Sequence, residues 1–432
     1  MNKKIDKLQI YMDHLASHNY FNGSVLVAHK GEVLLKKGYG MASFQYGVPN
    51  TSSIKFRIGS LTKAFTAMAI MVLHGQGKLD IDDSIERILP DYPNGAIMTV
   101  RHLLNHASGI PSFTSTPDYW QTAMRLPWAL TKVILSFKDL PLEFEPGTKM
   151  DYSNSGYLLL TAIVEQVSGC SYADFLKKAI LDPLGLEETG VDNGRTIIRE
   201  LASGHTVWGD VIHTEFVDMS FPLGAYGMYS TVEDLYTWCQ ALMNGTLVSD
   251  VLMKQMFTGV NGYGFGWFIE NRVPKAISHF GDINGFVHHL MMIPDEELVV
   301  MALSNINITP VNQITSDLMK IALGKEMAGF EPFKVLELQA DNLAGRYQNG
   351  DVIITIGVDQ GLYTIVPKMY GVPYKFRLFP VKADMDTVIC KSDYIHDTYC
   401  FKMDQMRRPL SVELTDAEGV TAVYKRCTEK VL

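Results

Sequence analysis

The chain has no stretch approaching the roughly 18 to 20 apolar residues that a membrane-crossing helix needs, so no integral membrane segment is expected. Cysteine is scarce: five residues, at positions 170, 239, 390, 400 and 427, odd in number, scattered, and without a C-x-x-C. Neither a disulfide framework nor a zinc ribbon is indicated, and a reducing cytoplasm is the compartment that fits. There is no Lys/Arg cluster, and acidic residues outnumber basic ones by 47 to 38, for a net charge of -9. A phosphate backbone asks for the opposite balance, which argues against nucleic acid as a partner. The chain also lacks a P-loop, a G-x-G-x-x-G after a strand and an H-E-x-x-H, so no nucleotide, metal or other cofactor is implied. His102 and His106, like His14 and His18, stand four apart as zinc ligands on a helix would, but the accompanying glutamate is missing and packing or capping is the expected role. His288 and His289 are consecutive in a strand-like run and so point to opposite faces, against joint ligation.

What is present reads as a globular protein: 432 residues, 47% apolar and 20% charged. That length suggests one large domain and a smaller one. Ile5, Leu8, Met12 and Leu15 recur at helical spacing with polar residues between them, an amphipathic helix and not a continuous export core. Two strands follow, from Gly23 to His29 and from Val33 to Gly40, turning at Lys30-Gly31. Residues from about 77 to 270 read mostly as helices and long loops, with Leu158 to Val167 and Val232 to Met243 the clearest helices. Strand character resumes at Tyr263-Gly-Phe-Gly-Trp-Phe-Ile, His279-Phe-Gly, Gly285 to Ile293 and Glu297 to Ser304, before a helix from about Pro310 to Leu323. Strands at both ends of a helical middle predict an α+β fold: one sheet made from the two ends, a helical insertion, and a site in the cleft between them. Beyond Gly329-Phe-Glu-Pro come short strands: Val352 to Val358, Leu362 to Val366, Lys375 to Pro380, Tyr399 to Met403, Ser411 to Leu414 and Val420 to Lys425. They predict a separate all-β barrel or sandwich, dividing the chain into 1–328 and 333–432.

The chemistry centres on Ser60-Leu61-Thr62-Lys63, at the head of a helix running to about Gly75. From Leu61 to Leu73 the helix is apolar on nearly every side, and Lys63 is its one charge. An ammonium buried in such a helix costs several kcal/mol or loses its proton. Ser60 and Lys63 are three residues apart, a rise of roughly 4.5 Å on one helix face, within reach of a shared proton. Ser60 therefore reads as a nucleophile. S-x-x-K also occurs at Ser52 to Lys55, so the pattern alone is a weak signal.

Two further motifs lend it weight. Tyr152-Ser153-Asn154 follows Phe144-Glu-Pro-Gly-Thr-Lys-Met-Asp, and His279-Phe280-Gly281 precedes Gly285-Phe286. In order and context the three resemble the S-x-x-K, Y-x-N and H-x-G boxes of the serine β-lactamase and penicillin-binding protein superfamily, class C branch. Arg101-His-Leu-Leu-Asn-His-Ala-Ser-Gly-Ile-Pro, Leu223-Gly-Ala-Tyr-Gly-Met-Tyr-Ser and Tyr263-Gly-Phe-Gly-Trp are supporting matches, and the resemblance covers residues 20 to 325. It implies a β-lactamase/transpeptidase-like fold with a lipocalin-like β-domain behind it. It also implies an acyl-enzyme on Ser60, with Lys63 and Tyr152 jointly moving the proton and either of them the base. By the same resemblance the backbone N–H groups of Ser60 and Asp282 form the oxyanion hole. Asn154 holds Lys63 and the substrate, and His279 and Gly281 form the substrate-binding edge. Many relatives carry lysine where His279 stands; a neutral imidazole is a poor carboxylate receptor, which tilts the expectation from β-lactams toward a peptidase or esterase acting on a small molecule or short peptide. A penicillin-binding sensor or non-catalytic binding protein on the same fold, and a genuine class C β-lactamase, are the alternatives, and the oligomeric state is open.

Overall fold

The computed structural model describes residues 3–271, 274–325, 334–338, 340–366 and 373–427. The domain boundary expected around Gly329-Phe-Glu-Pro lies outside them. Contacts group the chain into two compact units: Gly23–Ser203 with Glu215–Asn305, and Met1–Asn22 with Gly204–Thr214 and Ile306–Leu432. Among the described residues no helix is long and apolar enough to cross a membrane.

The larger unit is organised on an antiparallel sheet of β1 (Gly23–His29), β2 (Glu32–Tyr39), β3 (Phe268–Glu270), β4 (Ala276–Ile283), β5 (Phe286–Ile293) and β6 (Leu298–Ser304), in the order β3-β4-β5-β6-β1-β2. The first and last segments of this unit thus share one sheet, and the helical segments between them are inserted, as the distribution of strands predicts. β1 pairs with β6 from Gly23↔Ser304 to His29↔Leu298, and both are buried almost throughout, the signature of strands covered on two faces. Against the sheet lies α1 (Thr62–Gly75), whose residues Thr62 to Leu73 are all buried. It packs on α2 (Asn154–Ser168), and Phe65 stacks on Trp238 of α3 (Val232–Met243) with ring centroids 4.3 Å apart. A helix apolar all round needs such enclosure.

Two local readings are corrected. Tyr263 to Trp267 is not a strand: only Phe268–Glu270 joins the sheet, while Val260 and Tyr263 exchange backbone hydrogen bonds in a tight turn. The alternation of glycine and aromatic residues imitates a strand. Gly266 (φ +76°) is instead glycine because a Cβ there would lie 2.8 Å from the Lys63 carbonyl oxygen. Likewise Ser60 is not itself in the α-helix. It occupies a 3-10 turn, Gly59–Leu61, that feeds into α1.

The second unit contains a closed antiparallel barrel, which resolves the choice between barrel and sandwich. Its strands are β7 (Gly345–Asn349), β8 (Val352–Val358), β9 (Leu362–Val366), β10 (Tyr374–Ala383), β11 (Thr387–Ser392), β12 (Thr398–Met403), β13 (Pro409–Thr415) and β14 (Thr421–Arg426). Closure is made by β7 and β14, at Tyr347↔Arg426 and Gln348↔Lys425. Eight strands enclose a space that side chains fill, here Tyr347, Ile354, Leu378, Tyr399, Phe401 and Val412 among others. In the same unit the helix Lys3–Ser17 meets the helix Val311–Ala322, where Tyr11 Oη donates to Asp317 at 3.0 Å.

Candidate active site

Lys63 sits in the first turn of α1 with no solvent exposure. Its Nζ lies 3.0 Å from Ser60 Oγ, 2.8 Å from Asn154 Oδ1 and 2.7 Å from the Ala225 carbonyl oxygen. Burial pushes its pKa well below the usual lysine value. The three partners suit both protonation states. An ammonium donates to all three. A neutral amine donates to the amide and carbonyl oxygens, which can only accept, and offers its lone pair to the Ser60 hydroxyl, which can donate.

Tyr152-Ser153-Asn154 forms the entry to α2. The Asn154 N–H donates to Ser112 Oγ at 3.2 Å and its Nδ2 to Thr114 Oγ1 at 3.0 Å, which turns Oδ1 toward Lys63. Lys63 Nζ lies 4.8 Å from the centre of the Tyr152 ring. Burial pushes the Tyr152 phenol above its usual range, the Ser60 hydroxyl acts in the opposite direction, and the charge of Asp282 raises it further. The phenol oxygen is buried and has no hydrogen-bond partner of good geometry. The Tyr152 ring lies near-parallel to two others, Phe280 and Phe268, with centroids 6.2 Å and 6.4 Å away.

The third box lies on β4. Its neighbour β3 is short and pairs only with Ala276 to Ser278, so it does not cover the edge of β4 beyond Ser278. There the backbone of β4 abuts the segment leading into Ser60. A Cβ on Gly281 would fall 2.1 Å from the Ile58 carbonyl oxygen, and one on Gly59 (φ +53°) would fall 2.6 Å from the Asp282 nitrogen. These two glycines let Asp282 N–H come alongside the Ser60 turn. The His279 side chain, expected to bind substrate, is fully buried instead. Its Nδ1 is 2.5 Å from the Phe280 carbonyl, which can only accept, so Nδ1 carries the proton and Nε2 accepts from Tyr263 Oη at 2.9 Å. Burial first, and Lys63 second, hold its pKa down at about 3. His279 therefore presents no charge to the cleft; strand alternation that exposes Phe280 turns His279 inward.

Ser60, Lys63, Tyr152, Asn154, Gly281 and Asp282 thus converge, while His279 stands behind them. The Ala225 carbonyl, Thr114 and His106 also belong to the site and were not foreseen. A main-chain acceptor leaves no trace in residue type, although Ala225 falls in the Leu223-Gly-Ala-Tyr-Gly stretch. His102, by contrast, caps the helix Val100–Leu104, closing a capping box with Thr99.

Known proteins are similar to this chain in sequence and in fold. A penicillin-binding protein of Bacillus subtilis (strain 168) is 33% identical over 330 residues, covering 69% of this chain and 71% of that protein. Among solved structures, the octameric penicillin-binding protein homologue from Pyrococcus abyssi superposes with a TM-score of 0.68 at 26% identity, covering 98% of this chain and 100% of the other. The D-amino acid amidase from Ochrobactrum anthropi SV3, complexed with L-phenylalanine amide, gives a TM-score of 0.65 at 28% identity, over 75% and 98% of the two chains. The family model described as Beta-lactamase matches residues 9–323, which includes all three boxes. A buried amine, a serine and a tyrosine brought together on a β-lactamase/transpeptidase-like fold thus meet a match across most of the sequence: this chain belongs to the β-lactamase family of serine hydrolases.

Proposed function

We propose that the protein hydrolyses esters or amides, D-aminoacyl substrates among them, through an acyl-enzyme on Ser60. The observation that carries this is the Lys63 amine, enclosed by three oxygens of which one alone, the Ser60 hydroxyl at 3.0 Å, has a proton to give. Ser60 Oγ attacks the substrate carbonyl while its proton passes to Lys63. The resulting oxyanion is held by the N–H groups of Ser60 and Asp282, donors typically worth about 3 to 4 kcal/mol each when removed. Tyr152, whose phenol burial keeps protonated, gives its proton to the leaving alcohol or amine and is reprotonated by the Lys63 ammonium. Water then repeats the sequence in reverse on the acyl-enzyme. Asn154, its amide fixed by Thr114, steadies Lys63 and meets the substrate amide.

Substrate class follows from charge. Neutral, buried His279 offers no cation to a substrate carboxylate, which supports an amidase or esterase over an enzyme for penicillins. The similarity to D-amino acid amidase points the same way. Initial rates on matched D- and L-aminoacyl esters and amides, with a fluorescent penicillin alongside, test the reading. Turnover of an ester or amide that vanishes in Ser60→Ala is expected. A stable penicillin adduct without turnover would instead identify a sensor, and a lack of both would remove the enzymatic reading.

A further inference from the structure

His106 lies outside the three boxes, yet it grips Tyr152 from three sides. Its carbonyl oxygen accepts from the Asp151 N–H at 2.9 Å, and its ring Nδ1 accepts from the Ser153 N–H at 3.1 Å. These bonds bracket residue 152. Between them the imidazole packs on the Tyr152 ring with centroids 4.3 Å apart. A backbone N–H can only donate, so Nδ1 is the unprotonated nitrogen and Nε2 carries the hydrogen. That Nε2 is buried without a hydrogen-bond partner, and the ring centre is 5.0 Å from Tyr157 and 4.6 Å from Tyr263. The residue is also left-handed, with φ +58°, a conformation unfavourable for a side chain bearing a Cβ. A strained backbone and an unpaired donor are each disfavoured in a core. Both persist where the surrounding structure needs the geometry they provide.

From these contacts we infer that His106 is a positioning residue for the proposed reaction, setting the place of the Tyr152 phenol against Ser60 and Lys63 without touching substrate. The inference rests on the proton-donor role proposed for Tyr152. Burial, with Lys63 and His279 nearby, keeps the imidazole neutral, as an acceptor of the Ser153 N–H must be.

A double-mutant cycle tests it. His106→Ala should lower kcat by about 100-fold, the scale of a misplacement near 1 Å, with KM changed less than about twofold. In a Tyr152→Phe background the same substitution should cost less than about threefold, because the group it positions has gone. His106→Asn, which tolerates the left-handed backbone and retains an acceptor, should recover about tenfold of the loss and serves as the variant if alanine does not fold. Equal losses in both backgrounds would overturn the inference, since a residue that merely supports the fold would act additively. Crystal structures of the same variants decide independently of turnover. A displaced Tyr152 ring is expected, and a ring unmoved in His106→Ala contradicts the inference even if the proposed activity is absent.

Discussion

A lysine with no exposed surface and three oxygen partners has two ways to be useful, as a fixed cation or as a base, and one substitution separates them. Lys63→Arg keeps a positive charge that cannot be given up. If the amine is the base, activity falls by roughly 10²- to 10⁴-fold and does not return at alkaline pH. In the wild type the rate should rise with pH through the depressed pKa of Lys63 and decline only where the Tyr152 phenol, held above its usual range, begins to ionise. Steady-state pH profiles of both proteins check this; an arginine enzyme retaining its rate would make Lys63 an electrostatic support. His279 yields a stability prediction. Its folded pKa of about 3 lies below the unfolded value of about 6.5, so between those values the unfolded chain binds a proton that the folded one excludes. Stability contributed by the neutral imidazole is complete above about pH 6.5 and is lost as pH falls toward 3, up to about 4 to 5 kcal/mol. Urea unfolding at several pH values should show a shallower acid loss in His279→Gln, which retains an acceptor for Tyr263 without titrating. An unchanged slope would mean that other buried groups, such as His288, held down at about 4, dominate acid unfolding.

At the scale of elements, the site depends on β4 pressing against the turn that carries Ser60. Gly281→Ala would place a methyl group 2.1 Å from the Ile58 carbonyl oxygen, and backbone on both sides must separate. The expected result is a 10²- to 10³-fold drop in kcat, the cost of losing one oxyanion donor, with Tyr152 and Lys63 still in place. A variant of normal activity, measured on the same activated ester, would show that the contact does not set the Asp282 N–H. The sequence makes much of this level legible. Continuous apolar runs mark α1, α2 and the central strands, which are enclosed on nearly every side, and a buried face repeating at 3.6 residues marks α3. The run from Tyr263 to Trp267 misleads, since Gly264 and Gly266, which lie close against the backbone of Met256 and of Lys63, fall at strand spacing. Strands Gly345–Asn349 and Thr387–Ser392 also escape notice: polar Arg346, Gln348 and Asn349 dilute the first, and Lys391 and Ser392 the second. For the site, residue types carried Ser60, Lys63 and Tyr152. Residue type does not carry direction: the H-x-G pattern points His279 toward substrate, and the i, i+4 spacing gives His106 only a packing or capping role.

The whole molecule has at least two separate hydrophobic cores, one around α1 and the sheet and another inside the barrel. Units with their own cores tend to unfold as separate steps. Phe401, fully buried in the barrel, tests this: Phe401→Ala should cost about 3 to 5 kcal/mol and lower one calorimetric transition while leaving the other within a degree or two. A single transition shifted as a whole would make the chain one cooperative block. Above these parts stands the claim that a hydroxyl, an amine and a phenol from distant segments make one acyl-transfer centre. Rapid acid quench during turnover of an activated ester, followed by peptide mass spectrometry, reads it directly. The acyl mass should appear on the peptide containing Ser60 and disappear in Ser60→Ala; acyl mass on another residue, or turnover undiminished in that variant, would contradict it.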